Sequence, residues 1–143
     1  MASKMLADVA RDMAGIDIAI LSTHTENDEI ASRPMSNNGD VAYDGTSYYF
    51  TSEATRTVSD IVRNPKVALA FSSEGGIFRN GIYVSVEGTA ELIRDEAAFR
   101  AHWMPDLDTW FDKGIHTPGL VLIKVQARRV TYWKGSEEVE ILL

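Results

Sequence analysis

Eight consecutive residues, Phe50-Thr51-Ser52-Glu53-Ala54-Thr55-Arg56-Thr57, hold four hydroxyls and one guanidinium. They lie between a strand-like run and the apolar residues Val58, Ile61 and Val62 at i, i+3 and i+4, so they read as a strand-to-helix turn. A helix N-terminus offers unpaired N–H groups and partial positive charge, which suit a phosphate-like anion. Arg56 adds a planar donor whose charge-assisted hydrogen bonds are worth about 1.5–3 kcal/mol each. The plainer reading is that Ser and Thr cap the helix while Arg56 is solvated. A second candidate is Arg33-Pro34-Met35, where an arginine beside a rigid proline is either an anion ligand or a surface residue. The third is the aromatic set Trp103, Trp110, Phe111, Tyr132 and Trp133, whose usual place is the core.

Other chemistry is scarce. The 143 residues include no cysteine, which removes thiol nucleophiles, thiolate metal sites and disulfides. The three histidines, His24, His102 and His116, never stand at i, i+4, and no zinc site is expected. His24 and His116 read as solvated, with His116 at most a pocket-mouth residue. Phosphate-loop, dinucleotide-fold, zinc-protease and nucleophile-elbow motifs are all missing. No residue stands out as a general acid or base. Fourteen basic against twenty-one acidic residues give a net charge of -7, which argues against nucleic acid and anionic membrane as partners. No window approaches the ~18 apolar residues of a membrane span. Lys4, Asp8, Arg11 and Asp12 interrupt the N-terminus, so a cytoplasmic protein without a signal peptide is expected. On so acidic a chain, Arg33 and Arg56 mark a place for an anion.

The elements that must position these residues follow from periodicity. A single domain, residues 1–143, is expected, without linker or repeat. Leu6, Val9, Ala10 and Met13 recur at helical spacing, with Ser3 as a cap and Gly15 as the stop. Ile16, Ile18 and Ile20 begin a strand, and Ile30 to Met35 is extended because Pro34 forbids helix. Val41–Tyr43 and Thr46–Thr51 flank Asp44-Gly45, a hairpin signal. Thr57 with Asp60 reads as a capping box for the next helix, which Asn64-Pro65 ends. Val67 to Phe71 is apolar on both faces and reads as a central strand; Gly75-Gly76 marks a loop. Ile82 to Leu92 alternates with one wet face, and Gly88 suggests a bulge in it. Asp95 caps a helix through Phe99, Pro105 to Phe111 forms further helical turns, and Leu120–Trp133 and Val139–Leu143 complete the strands. The sum is a mainly β protein with flanking helices, a six-stranded antiparallel barrel.

Several blocks in this order resemble the pyridoxamine-phosphate-oxidase-like split β-barrels that bind FMN, and in particular the general stress protein branch. They are Arg33-Pro34-Met35, Tyr49-Phe50-Thr51 followed by Thr55-Arg56-Thr57, Ile61-Val62-Arg63-Asn64-Pro65-Lys66-Val67, and Tyr83-Val84-Ser85-Val86-Glu87-Gly88. The insertion from Trp103 to Phe111 with Gly114, and the closing Tyr132-Trp133, extend the match over about Ala7 to Trp133. The resemblance implies a homodimer with FMN in a groove at the interface. It implies Arg33 and Arg56 as phosphate ligands with Ser52, Thr55 and Thr57 as hydroxyl donors. Pro34 and Met35 would run beside the isoalloxazine ring, Phe50 and Thr51 on the neighbouring strand, and Trp133 would approach from the partner chain.

Two departures narrow that implication. Thr57 stands where the family often has lysine. The tail Lys134-Gly135-Ser136-Glu137-Glu138-Val139-Glu140 is acidic where true pyridoxamine-phosphate oxidases grip substrate phosphate with arginines, so pyridoxamine phosphate is not the expected substrate. The leading expectation is a flavin-dependent oxidoreductase acting in stress response. The alternatives are a non-catalytic flavin sensor or store, and the same fold holding FAD, deazaflavin or haem. A barrel using Tyr48, Tyr49 and Phe50 to stack single-stranded nucleic acid is opposed by the net charge.

Overall fold

The computed structural model describes residues 2–75 and 80–143, with side chains from Met5 onward. Its strands are β1 (Ile18–His24), β2 (Ile30–Ser36), β3 (Thr46–Ser52), β4 (Lys66–Ser73), β5 (Ile82–Ile93), β6 (Leu120–Lys134) and β7 (Glu137–Leu142). Helices α1 (Ala2–Met13), α2 (Arg56–Arg63) and α3 (Glu96–His102), with 3-10 turns at Pro105–Thr109 and Gly114–His116, fill the connections. The mainly β antiparallel class is as expected, but the sheet has seven strands rather than six. Strand β6 is long enough to pair with two strands in turn, one of them the closing strand expected at Val139–Leu143. Its first half pairs with β3 (Ser52↔Leu120 to Thr46↔Gln126) and its second half with β7 (Arg129↔Leu142 to Lys134↔Glu137).

The strand order is β2-β1-β4-β5-β6-β3, so β2 and β3 are opposite edges although they follow each other in sequence. Among the described residues no ladder joins them, and the barrel is split rather than closed. This corrects two expectations. Val41–Tyr43 forms no strand and Asp44-Gly45 no hairpin, because this stretch must carry the chain between opposite edges. The turn residues serve other bonds: Asp44 Oδ1 accepts from the Thr46 N–H at 3.0 Å, and the Gly45 carbonyl accepts from the Ala127 N–H at 2.8 Å.

One face of the sheet is the core. Leu21, Leu69, Phe71, Val84, Val86, Ile123, Val125 and Val130 line it, and Leu6, Val9 and Met13 of α1 close over it as the helical spacing required. A smaller cluster of Phe50, Phe99, Leu107, Leu120 and Leu122 lies under α3 and the first 3-10 turn. Asp95 caps α3, its carboxylate accepting from the Ala97 N–H at 3.3 Å. β4 pairs with β1 and β5 and is central as expected, but its second face is not covered: Ala68 is half-buried and Ala70 exposed. The bulge expected at Gly88 is present, the β5–β6 register shifting between Glu87 and Gly88. A Cβ there would stand 2.3 Å from the Gln126 carbonyl oxygen, so only glycine fits. Helix α1 already runs at Ala2; the expected cap at Ser3 and the Gly76 half of the Gly75-Gly76 loop lie outside the described side chains and residues.

Candidate functional site

Helix α2 carries the site. Its N-cap is Thr55 rather than Thr57: Thr55 Oγ1 accepts from the Val58 N–H at 3.4 Å and donates to the Ser52 carbonyl at 2.8 Å. The capping box expected from Thr57 and Asp60 does not form, because starting the helix at Arg56 turns both residues inward. Thr57 is buried and Asp60 has no exposed surface at all. A buried carboxylate must be paired to be tolerated. Thr23 donates to Asp60 Oδ2 at 2.8 Å, and Arg33 Nη2 lies 3.6 Å from the same oxygen. On the other side Arg63 Nη1 donates to Asp60 Oδ1 at 3.3 Å, with Arg56 Nη1 at 3.7 Å.

Arg33 reaches this point from β2, donating also to Thr23 Oγ1 at 2.7 Å and to the Leu21 carbonyl at 3.3 Å. Its side chain is only 19% exposed, and burial pulls its pKa down, with the positive charge of Arg56 adding to that effect. Arg56 is 53% exposed and donates to Glu26 Oε2 at 2.6 Å; Arg63 Nη2 lies 3.9 Å from that oxygen. The hydrogen bond from Arg56 holds Glu26 below the usual carboxylate range. Three guanidinium groups therefore meet two carboxylates, a local charge of +1 on a chain of -7. Arg56 and Arg63 keep about half of their side-chain surface exposed, so both remain accessible from solvent. This donor set suits a phosphate, which binds through several charge-assisted hydrogen bonds.

The structure thus brings Arg33 and Arg56 together on one carboxylate. The cluster lies where the split opens, because Arg33 belongs to one edge strand and α2 directly follows the other. A second contact crosses the same opening: the Tyr49 hydroxyl of β3 donates to Asn37 Oδ1, just past β2, at 3.4 Å. Thr51 alternates to the same side as Tyr49, and its hydroxyl is 3.4 Å from that of Thr55. Ser52 is half-buried at the end of β3, and Met35 packs against the core beside the opening. Phe50 does not line it. That ring packs into the second cluster, 5.0 Å from Trp103 and 5.8 Å from Phe99 between centroids. Of the three β3 rings read as a stacking surface, Tyr49 and Phe50 are buried and half-buried Tyr48 stacks on His102.

Trp133 and Pro34 lie on the outer face of the sheet, opposite the core. Trp133 is cross-strand from Tyr83 and donates its indole N–H to Glu138 Oε1 at 2.6 Å. Neither of the two cavities described is lined by any of the expected site residues. An open trough of about 930 Å³ runs along the outer face past Ser22, Ala68, Glu87, Arg129 and Leu142. Thr23 belongs to both trough and cluster, and His24, expected to be solvated, is half-buried in the trough wall. A second cavity of about 380 Å³ is bordered by Tyr43, Ser47, Tyr48 and His102. There His102 stacks on Tyr48 at 3.6 Å, and burial lowers its pKa. The trough also gathers charge, with Lys66, Arg128 and Arg129 along its wall and Glu87 paired to Arg129, but among the described residues it has no buried carboxylate of the kind that draws the arginines together at Asp60. Among the described residues no group of His, Cys, Asp and Glu is placed to hold a metal, and no helix is long and apolar enough to cross a membrane.

Four members of the cluster were not singled out from sequence as site residues: Thr23, Glu26, Asp60 and Arg63. Arg56, Asp60 and Arg63 stand at i, i+4 and i+7, one face of a helix, and that spacing was the available signal. Glu26 lay in a turn and carried none.

Comparison with known proteins agrees with this architecture. No curated protein matches the chain in sequence. Among solved structures, a Clostridium acetobutylicum protein related to general stress protein 26 of B. subtilis (pyridoxinephosphate oxidase family) superposes with TM-score 0.80 at 20% identity, covering 99% of this chain and 96% of that one. A FAD-binding protein from Mesorhizobium loti gives TM-score 0.70 at 17% identity over 90% and 94% of the two chains. A haem-binding protein from Mycobacterium smegmatis gives TM-score 0.72 at 16% identity, covering 99% of this chain but 57% of its own. At these identities the likeness is one of fold. The family profile described as "Pyridoxamine 5'-phosphate oxidase like" matches residues 4–143, nearly the whole length, and the chain therefore belongs to the pyridoxamine 5'-phosphate oxidase-like family.

Proposed function

We propose that this protein is a cytoplasmic FMN-binding flavoprotein that works as a homodimer, and that the arginine cluster beside the split between β2 and β3 receives the cofactor phosphate. One observation carries the reading: three guanidinium groups lie within 4 Å of a single fully buried carboxylate, at the mouth of that split. Asp60 fixes the cluster from below. Arg56 and Arg63 are the arms free to turn toward a ligand, while Arg33 is mostly committed to Thr23 and Asp60. Thr23 already gives its hydroxyl to Arg33 and Asp60 and Thr55 gives its own to the helix cap, which leaves Ser52 and Thr51, on the strand end before α2, as the hydroxyls for the ligand. Beside the opening, half-buried Met35 packs against the core and offers an apolar side chain to a flat ring.

When bound, FMN supplies hydride or electron transfer that these side chains lack. The protein's part is to bind, orient and shield it; no acid or base is assigned. The dimer is supported by the outer face, where Ile18 (52% exposed), Ile20 (39%), Tyr83 (53%) and Trp133 (36%) lie on one surface with Pro34 and Ala70. A contiguous apolar face of this kind is what a partner surface covers. The C. acetobutylicum structure's relation to a general stress protein gives the stress role its support. FAD and haem stay in the test because neighbours of the same fold are named for them.

The test is a visible spectrum of the purified protein before and after addition of FMN, FAD or haem, with thermal stability read alongside. A flavin spectrum, or quenched FMN fluorescence with a raised Tm, is expected. A protein that answers only to haem, or to none of the three, overturns the reading. Anaerobic addition of NADH or NADPH then separates an oxidoreductase, whose flavin bleaches, from a sensor or store, whose flavin does not.

A further inference from the structure

Glu26 lies in the turn between β1 and β2, and its backbone is held firmly. The Thr25 N–H bonds the Glu29 carbonyl at 2.8 Å, the Asp28 N–H bonds the Thr25 carbonyl at 3.0 Å, and Thr25 Oγ1 accepts from the Glu29 N–H at 3.1 Å. Asp28 adopts the left-handed conformation, φ +59°, that closes so tight a turn. The Glu26 side chain is 49% exposed and not confined in this way. Its Oε2 takes the Arg56 donor at 2.6 Å and stands 3.9 Å from Arg63. Asp60 cannot leave the cluster, since it is fully buried and bonded by Thr23. Glu26 can, because an exposed ion pair adds little to stability and exchanges freely with water.

We propose that Glu26 is a built-in competitor for the cofactor phosphate, its carboxylate occupying the Arg56 and Arg63 donors until the ligand displaces it. The proposal rests on the FMN reading above and deepens it. With Glu26 in place the three arginines face two carboxylates and the net charge is +1. With Glu26 turned aside they face Asp60 alone, and the charge of +2 matches a phosphate dianion. A monoanion offers Arg56 and Arg63 no more than Glu26 already does, whereas a phosphate can engage both at once through separate oxygens. Glu26 therefore sets selectivity for dianions and keeps affinity below the maximum the arginines could give. Arg56 holds Glu26 ionised well below neutral pH, so the competition persists at physiological pH.

The experiment titrates FMN and riboflavin into wild-type protein, Glu26→Gln and Asp28→Asn at one ionic strength. Asp28→Asn removes the same charge two residues away. FMN should bind Glu26→Gln about two- to fivefold more tightly than wild type, the range set by an exposed ion pair. Riboflavin affinity and the Asp28→Asn variant should be unchanged. Unchanged or weaker FMN binding by Glu26→Gln overturns the proposal, as does an equal gain for riboflavin or for Asp28→Asn. If wild type binds no FMN, the cofactor reading is the one that fails. Thermal stabilisation by inorganic phosphate then decides the present proposal: a larger upshift in Glu26→Gln supports it, and an equal or absent one overturns it.

Discussion

Asp60 has no exposed surface, and a carboxylate so placed costs several kcal/mol unless its oxygens are paired. Thr23, Arg33, Arg56 and Arg63 all converge on it. Asp60→Asn keeps the shape but leaves Arg33, itself mostly buried, without its counter-charge. We expect a stability loss of about 2–4 kcal/mol by chemical denaturation, together with weaker FMN binding. A loss below about 0.5 kcal/mol would mean the cluster is ornamental to the fold. Arg33 and Arg56 were legible in the sequence because cations are conspicuous on an acidic chain, the first beside Pro34 and the second in a hydroxyl-rich strand-to-helix turn. Asp60 was misread as a cap, since nothing local says that its helix starts one residue after Thr55 and turns the carboxylate inward. Burial of a charge is decided by partners from β1 and β2 that are distant in sequence.

At the scale of elements, local period carried most of the reading. The apolar stripe of α1, the alternation of β5, the cap at Asp95 and the bulge at Gly88 all follow from neighbours within a few residues. Gly88→Ala should cost about 2 kcal/mol or more, because its Cβ would meet the Gln126 carbonyl oxygen at 2.3 Å and two backbones would have to part. The midpoint of urea unfolding measures it, and a variant as stable as wild type would contradict the close approach. Long-range pairing was not legible. Val41–Tyr43 with Asp44-Gly45 satisfies every local rule for a hairpin, yet the adjoining strands β2 and β3 occupy opposite edges. That exchange of a local hairpin for a crossing is also what creates the opening on which the proposed site depends.

For the molecule as a whole, the outer face of β1, β2, β4, β5 and the end of β6 is the surface left over by the packing. Ile18, Ile20, Pro34, Ala70, Tyr83 and Trp133 remain on it, partly or fully exposed. Ile20 is paired with Pro34 on one side and Ala70 on the other, near the middle of that face. Ile20→Lys should convert a dimer to a monomer in sedimentation and leave the monomer folded, since the side chain is 39% exposed. A variant that stays dimeric would place the interface elsewhere. The central claim remains the anion site. Its most direct measurement is the affinity for FMN beside that for riboflavin, which lacks only the phosphate, in wild type and in Arg56→Ala. Arg56 is the cleaner probe, being 53% exposed where Arg33 supports the fold. Wild type should prefer FMN, and Arg56→Ala should lose about tenfold or more of FMN affinity with riboflavin unchanged. Equal affinity for the two flavins, or an FMN affinity indifferent to Arg56→Ala, would contradict it.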